Sequence, residues 1–235
     1  VQNFEPDFYE AGNPLRVAAN QSYFPRVDIQ CLTISQWCKK WLETDYGHSV
    51  RYVPNGIVKE KFRHYKRDFS GKIRILIEGD CSVYYKNVDE SFRIVDKLDP
   101  EKYEIWYMSY NAKPKAHYRV DKFLHQVPYE KVPQVYRQCH ILLKTSFLES
   151  FSYPPLEMMA TGGYTVVVPN DGNKEYLIDG ENCLLYPCGK TDKAVEAIER
   201  ICNDEELRDR LYEGGIETAK KRDWEELRED IVAMY

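Results

Sequence analysis

Two carboxylates, Glu149 and Glu157, stand eight residues apart in the stretch E-S-F-S-Y-P-P-L-E-M-M-A-T-G-G, on either side of an aromatic turn with two prolines. The apolar run before them, H-I-L-L-K-T, reads as a strand over 140–145. Pro155 suits the first position of the next helix, where a missing N–H costs nothing. Glu157 then falls in the first helical turn, where the dipole favours a carboxylate, and Glu149 stays on the preceding loop. Such spacing can bring both groups to one edge of a cleft, where a carboxylate can accept two hydroxyl hydrogen bonds of the kind a ribose offers. Ordinary helix capping makes the same pattern, so spacing alone leaves both readings open.

Two more loops carry suitable chemistry. E-G-D-C-S-V-Y-Y-K-N (78–87) runs from a strand into a helix. A helix start offers free N–H groups and a positive dipole end, Lys86 adds a full charge, and Gly79 permits close backbone approach, all of which suit a diphosphate. The loop is neither G-x-G-x-x-G nor a P-loop, and an ordinary strand-to-helix connection with a surface lysine fits it as well. P-N-D-G-N-K-E (169–175) follows the strand Y-T-V-V-V and opens a helical turn, so its backbone N–H groups could face an anion.

These loops need a frame. Apolar strands at 28–34, 72–77, 103–109, 122–124, 140–145, 164–168 and 182–186 alternate with helical periodicity at 35–47, 87–98, 129–138, 155–161, 191–202 and 204–221. Ser35 is placed to cap the first of these helices and Gly47 to close it. Asp223 and Glu226 have the spacing of an acidic capping box for a last helix, with Trp224, Leu227, Ile231 and Met234 on one face. The polar, basic stretch 59–71 reads as a linker. Alternating helices and nearly continuous apolar strands predict an α/β fold, a doubly wound parallel sheet covered on both faces. The expected organisation is a remnant of a preceding domain and a hinge at 1–57, a complete Rossmann-like domain at 58–222, and a closing helix at 223–235. The chain begins at Val1 and enters apolar-aromatic sequence at once, which reads as a piece of a longer protein.

Composition narrows the function. The 235 residues are 43% hydrophobic and 30% charged, with net charge −5, which argues against nucleic acid or an anionic membrane as the main partner. Seven scattered cysteines without a C-x-x-C pair suit reduced, largely buried thiols and a cytoplasmic protein. The five histidines lie apart, without Cys or carboxylate at ligand spacing, so no metal site and no cofactor are expected; His125, at a strand end, could reach the cleft but more simply sits on the surface or in the core.

The order of these pieces resembles the retaining GT-B glycosyltransferases, particularly glycosyltransferase family 4 (group 1). The family's E-G-F-G-x-P-x-x-E-A-M-A-x-G is similar to E-S-F-S-Y-P-P-L-E-M-M-A-T-G here. V-P-N-G-I (53–57) resembles its inter-domain hinge, V-Y-R-Q-C-H-I-L-L-K-T-S (135–146) the helix and strand before the motif, and N-K-E-Y-L-I-D-G-E-N-C-L-L-Y-P (173–187) its E-x-I-x-x-G-x-N-G-x-L segment. V-Q-N-F-E-P-D-F-Y-E-A-G and S-Y-P-P-L-E-M-M-A-T-G look like bacterial rhamnosyltransferases of cell-surface polysaccharide synthesis.

The resemblance implies a retaining, metal-independent transfer from a nucleoside-diphosphate sugar to a glycan or lipid-linked glycan. It places any peripheral membrane contact in the half of the fold that precedes this chain. Glu157 would bind the donor ribose and Glu149 would lie near the transferred sugar. Ser150, Phe151 and Ser152 would turn backbone N–H groups toward sugar and diphosphate, and Lys86 would neutralise the diphosphate. The family's arginine about five residues before that lysine is replaced by Asp80-Cys81, which leaves Lys144 or Lys174 to supply the second charge. Other outcomes the resemblance admits are a nucleotide-binding module inactive in isolation and a GT-B nucleotide-sugar epimerase. A dehydrogenase fits least, because no G-x-G-x-x-G follows the first strand.

Overall fold

The computed structural model describes residues 1–25 and 29–233. Asp28, at the start of the first expected strand, and Met234, on the last expected helix, lie outside them.

The larger unit is a six-stranded sheet of order β5-β4-β3-β6-β7-β8. Its strands are β3 (Ile73–Glu78), β4 (Tyr103–Ser109), β5 (Lys122–His125), β6 (Ile141–Lys144), β7 (Tyr164–Val167) and β8 (Leu184–Leu185), all paired in parallel. The chain starts in the middle at β3, builds outward to β5, then returns to lay β6 on the other side of β3 (Leu76 opposite Leu142). A crevice opens where the order reverses, outside the carboxyl ends of β3 and β6.

Strand residues alternate between two cores, as a period of two requires. Ile75 and Ile77 face α3 (Val88–Val95) and α6 (Thr191–Asn203), packing with Phe92 and Ile198. Leu76 and Leu142 face α4 (Val132–Gln138) and α5 (Tyr153–Ala160), packing with Val135 and Leu156. The long helix α7 (Glu205–Lys221) spans both cores, with Leu207 and Leu211 in the first and Ala219 in the second. The expected doubly wound arrangement is what forms.

The first residues build a smaller layer. A short helix, α1 (Pro14–Gln21), precedes two parallel strands, β1 (Cys31–Thr33) and β2 (Val50–Tyr52), joined by α2 (Gln36–Tyr46). Ser35 caps α2 through the Cys38 N–H, and Gly47 ends it at φ 68°. Tyr23, Trp41 and Leu42 fill a third core, with the Phe4 and Tyr46 rings against it.

The stretch 59–71 is not a free linker. Phe62 is buried, and so is Arg67, whose guanidinium donates to the carbonyls of Cys139 (2.8 Å), Thr161 (2.8 Å) and Tyr136 (3.1 Å). These carbonyls close the C-terminal ends of α4 and α5, where unpaired oxygens and the negative dipole end attract a cation. The chain's last helix, α8 (Trp224–Val232), sits on the hinge-like segment: Ile57 donates to the Arg222 carbonyl at 2.8 Å and the Trp224 N–H returns to Ile57 at 3.0 Å. Asp223 caps this helix through the Glu225 N–H, one position earlier than a capping box uses. Four of the seven cysteines are buried, Cys81 and Cys202 are half-buried, and Cys188 is exposed. Among the described residues no helix is long and apolar enough to cross a membrane.

Candidate active site

The crevice holds a cavity of about 250 Å³. Glu78 reaches it from the end of β3, Lys86 from the loop that follows, Lys144 from the end of β6, and Glu149 to Pro154 from the next loop and the start of α5. Four of these side chains form one charge cluster. Lys86 Nζ lies 2.8 Å from Glu149 Oε1, and Lys144 Nζ lies 2.5 Å from Glu78 Oε2 and 3.7 Å from Glu149. Lys144 also donates to the Glu78 carbonyl at 3.2 Å.

Burial presses the Lys144 ammonium toward neutrality, but Glu78 and Glu149 outweigh it and hold its pKa above the usual lysine value. Burial likewise pushes the Glu149 carboxyl up, and Lys144 with Lys86 pulls it below the usual carboxylate range. Lys144 and Glu149 are therefore charged at neutral pH. Lys174 plays no part here: it is exposed and pairs with Asp171. Asp80, where the resembled family has arginine, turns into its own loop and accepts from the Ser82 N–H at 2.9 Å and hydroxyl at 2.7 Å.

Gly79 lies against this cluster at φ 142°, a conformation that side chains rarely adopt; a Cβ there would stand 3.8 Å from Lys144 Nζ. Ser150, Phe151 and Ser152 all line the cavity. Ser152 keeps a left-handed backbone (φ 71°) without being glycine, at a cost in local strain. Phe151 is a buried anchor, its ring 5.0 Å from that of Tyr176, whose hydroxyl donates to the Ser152 carbonyl.

The helix begins earlier than the sequence suggests. Tyr153 is its first residue, so Pro154 and Pro155 take the second and third positions, whose N–H groups are also unpaired. Glu157 accordingly sits in the second turn, not the first. It is 7% exposed, lies off the cavity wall, and accepts from the Tyr136 hydroxyl. Burial raises its pKa to about 7, with Glu78 adding to the shift and Tyr136 and Lys144 opposing it. A carboxyl poised there can both donate to and accept from hydroxyls.

The sign of the resulting pH dependence is definite. Because its folded pKa lies above the ordinary 4.5, Glu157 favours the fold below that value and loses this contribution as pH rises through about 7. Glu157→Gln is expected to raise stability at pH 8 by up to about 3 kcal/mol and to change it little near pH 4.5, as denaturant melts at the two pH values would read.

Sequence reasoning passed over several members. Glu78 was signalled by its place at a strand's carboxyl end. Gln2, Ile34 and Asn55 enter the cavity from the first layer, which no local pattern announces. Gly172 supports the site from behind: a Cβ there would lie 2.3 Å from the Glu149 carbonyl oxygen, 2.4 Å from Ser150 C and 2.5 Å from Phe151 N. Gly172→Ala is expected to displace the 149–151 backbone and destabilise the protein by about 1–3 kcal/mol, measurable by thermal melting. Glu175, on the same loop, ties the two layers together: it accepts from the Tyr52 hydroxyl and the Gln36 N–H and pairs with Arg222 at 3.3 Å.

Known proteins share this fold. Over residues 81–218 the chain matches the family model described as glycosyl transferases group 1. The O-antigen biosynthesis protein RfbC of Myxococcus xanthus is 35% identical over 105 residues, covering 43% of this chain and 8% of that protein. A D-inositol 3-phosphate glycosyltransferase of Corynebacterium glutamicum is 24% identical over 182 residues, 77% of this chain and 40% of that one. The chain thus spans less than half the length of these relatives. In fold it is similar to Anabaena HepE solved in complex with UDP-glucose (TM-score 0.79, 17% identity, 99% of this chain and 70% of that). It is also similar to sucrose-phosphate synthase of Thermosynechococcus elongatus (TM-score 0.80, 16% identity, 99% and 65%). With a sheet of the GT-B type, a charged crevice at its switch point and the family match across more than half its length, this chain belongs to the glycosyl transferases group 1 family.

Proposed function

We propose that this chain is the donor-binding part of a retaining, metal-independent transferase of family 4, one that moves a sugar from a nucleoside diphosphate to a glycan or lipid-linked glycan. The observation that carries the reading is the convergence of Lys86 and Lys144 on Glu149 at the carboxyl edge of the sheet. Two ammonium groups in a partly enclosed crevice can take the charge of a departing diphosphate, and they are positioned before reaction begins. Glu149, beside them, would face the positive charge that grows on the transferred sugar. Glu157 would hold the ribose, and the backbone at Gly79 and Ser150 to Ser152 would approach the diphosphate. The second cation would come from Lys144 in place of the family's loop arginine.

Rhamnose as the sugar and a cytoplasmic setting belong to the same proposal, supported by the start of the chain and its free thiols. So does the division at 1–57, 58–222 and 223–235, supported by the separate cores and by the return of α8 to Ile57.

Thermal melting with UDP, TDP, GDP and ADP tests the reading, with Glu157→Ala as control. A nucleotide at 100 times its dissociation constant should stabilise the protein by about 2.7 kcal/mol. One nucleotide should raise the melting temperature and the variant should lose that shift; no shift with any of the four would overturn the reading. The chain's 40% coverage of the inositol phosphate glycosyltransferase favours a second reading, a nucleotide-binding unit without transfer activity of its own. Binding without sugar release from a matching donor would select it.

A further inference from the structure

The cavity has a second wall. Opposite in origin to the charged residues of the large sheet, Gln2 and Asn55 reach it from the first layer, and both end in neutral amides. We propose that these two amides read the hydroxyl groups of the transferred sugar. The inference rests on the donor-site reading above and adds to it the residues that select the sugar.

Asn55 is 5% exposed, and its Nδ2 has no hydrogen-bond partner. Buried side-chain donors normally find one. The Gln2 amide is also without a partner among the described residues.

Both backbones are held firmly. The Gln2 segment is anchored by the Tyr23 hydroxyl, which donates to the Asn3 carbonyl at 3.0 Å, and by the Phe4 ring 5.0 Å from Trp41. Asn55 is anchored through its carbonyl to Arg222 (3.4 Å), itself paired with Glu175. Anchored backbones that carry free amides are suited to recognition. Amides donate and accept, as sugar hydroxyls do, whereas the diphosphate is served by the lysines. The cavity therefore sorts its polar groups by ligand part.

Calorimetric titration of wild type, Gln2→Ala and Asn55→Ala with two matched pairs, UDP with UDP-glucose and TDP with TDP-rhamnose, tests this. For the pair that wild type binds, each variant should weaken the nucleotide sugar about tenfold and change the free diphosphate by less than about twofold. Equal losses for both ligands would assign the amides a structural role and overturn the proposal, as would unchanged sugar binding. Gln2 is exposed, so its variant remains informative if Asn55→Ala loosens the fold. If the melting panel selects GDP or ADP, that diphosphate and its nucleotide sugar form the matched pair; if wild type binds none of the diphosphates, the donor reading itself falls, an outcome visible before any variant is made.

Discussion

Lys144→Met should destabilise the protein by about 3–5 kcal/mol at neutral pH, because it leaves two carboxylates in the crevice without their shared cation. Lys144 is 2% exposed and holds Glu78 at 2.5 Å and Glu149 at 3.7 Å. Methionine fills a similar volume, so the loss reports charge more than packing. The pH dependence identifies the cause. In wild type the depressed pKa of Glu149 gives stability that is present above the ordinary carboxylate value of 4.5 and is lost as pH falls through the folded value. In the variant the pull of Lys144 is gone while burial still pushes the carboxyl up, so acid relieves the defect. The deficit should be largest above neutrality and shrink toward pH 4, as paired denaturant melts across that range would show. A constant deficit would mean that the lysine acts by packing alone. On the proposed function, the variant should also bind a nucleoside diphosphate about 10- to 100-fold more weakly while binding the nucleoside equally well.

Arg67→Met should cost a similar amount, about 3–5 kcal/mol, for a different reason. The guanidinium satisfies carbonyls of Tyr136, Cys139 and Thr161 at the ends of α4 and α5, and the Thr161 hydroxyl at 3.0 Å. The buried Cys139 carbonyl would lose its donor, and the Tyr136 and Thr161 carbonyls would keep only the Cys139 and Tyr65 N–H groups. At roughly 2–4 °C per kcal/mol for a chain of this size, the melting point should fall by about 10 °C. Because α5 carries Glu157 and leads out of the cavity loop, amide exchange should speed up there as well as at 59–71. A melting point within about 2 °C of wild type would refute the clasp.

Much of this protein is legible in its residues. Strands such as Tyr103–Ser109 are continuous apolar runs, and a parallel sheet buried on both faces demands that pattern. Ser35 and Gly47 mark their helix because capping is local chemistry, settled within a few positions. The charged loops after β3 and β6 were expected at the carboxyl edge because chain order alone places strand ends there. Where local rules had more than one solution, the reading slipped. Pro155 suits a first helical position, but the prolines are tolerated at the second and third positions too, and the left-handed turn at Ser152 set the start at Tyr153. That shift moved Glu157 from the first helical turn to the second, where it is buried, and changed its chemistry from a dipole-stabilised carboxylate to a carboxyl with a pKa near 7.

What the tertiary structure alone decided are pairings across long stretches of chain. Arg67 looks the same in sequence whether solvated or buried, since its partners are backbone carbonyls, which every residue has. Lys144 finds Glu78 only because β6 returns to lie beside β3. Gly172 meets Glu149, and Gln2 and Asn55 share a cavity with the lysines, only because separate layers close on it. Periodicity and capping act over a few residues and leave their mark in order and spacing. Ion pairing, burial and backbone contact depend on distance in space, and sequence order holds that information only once the chain has folded.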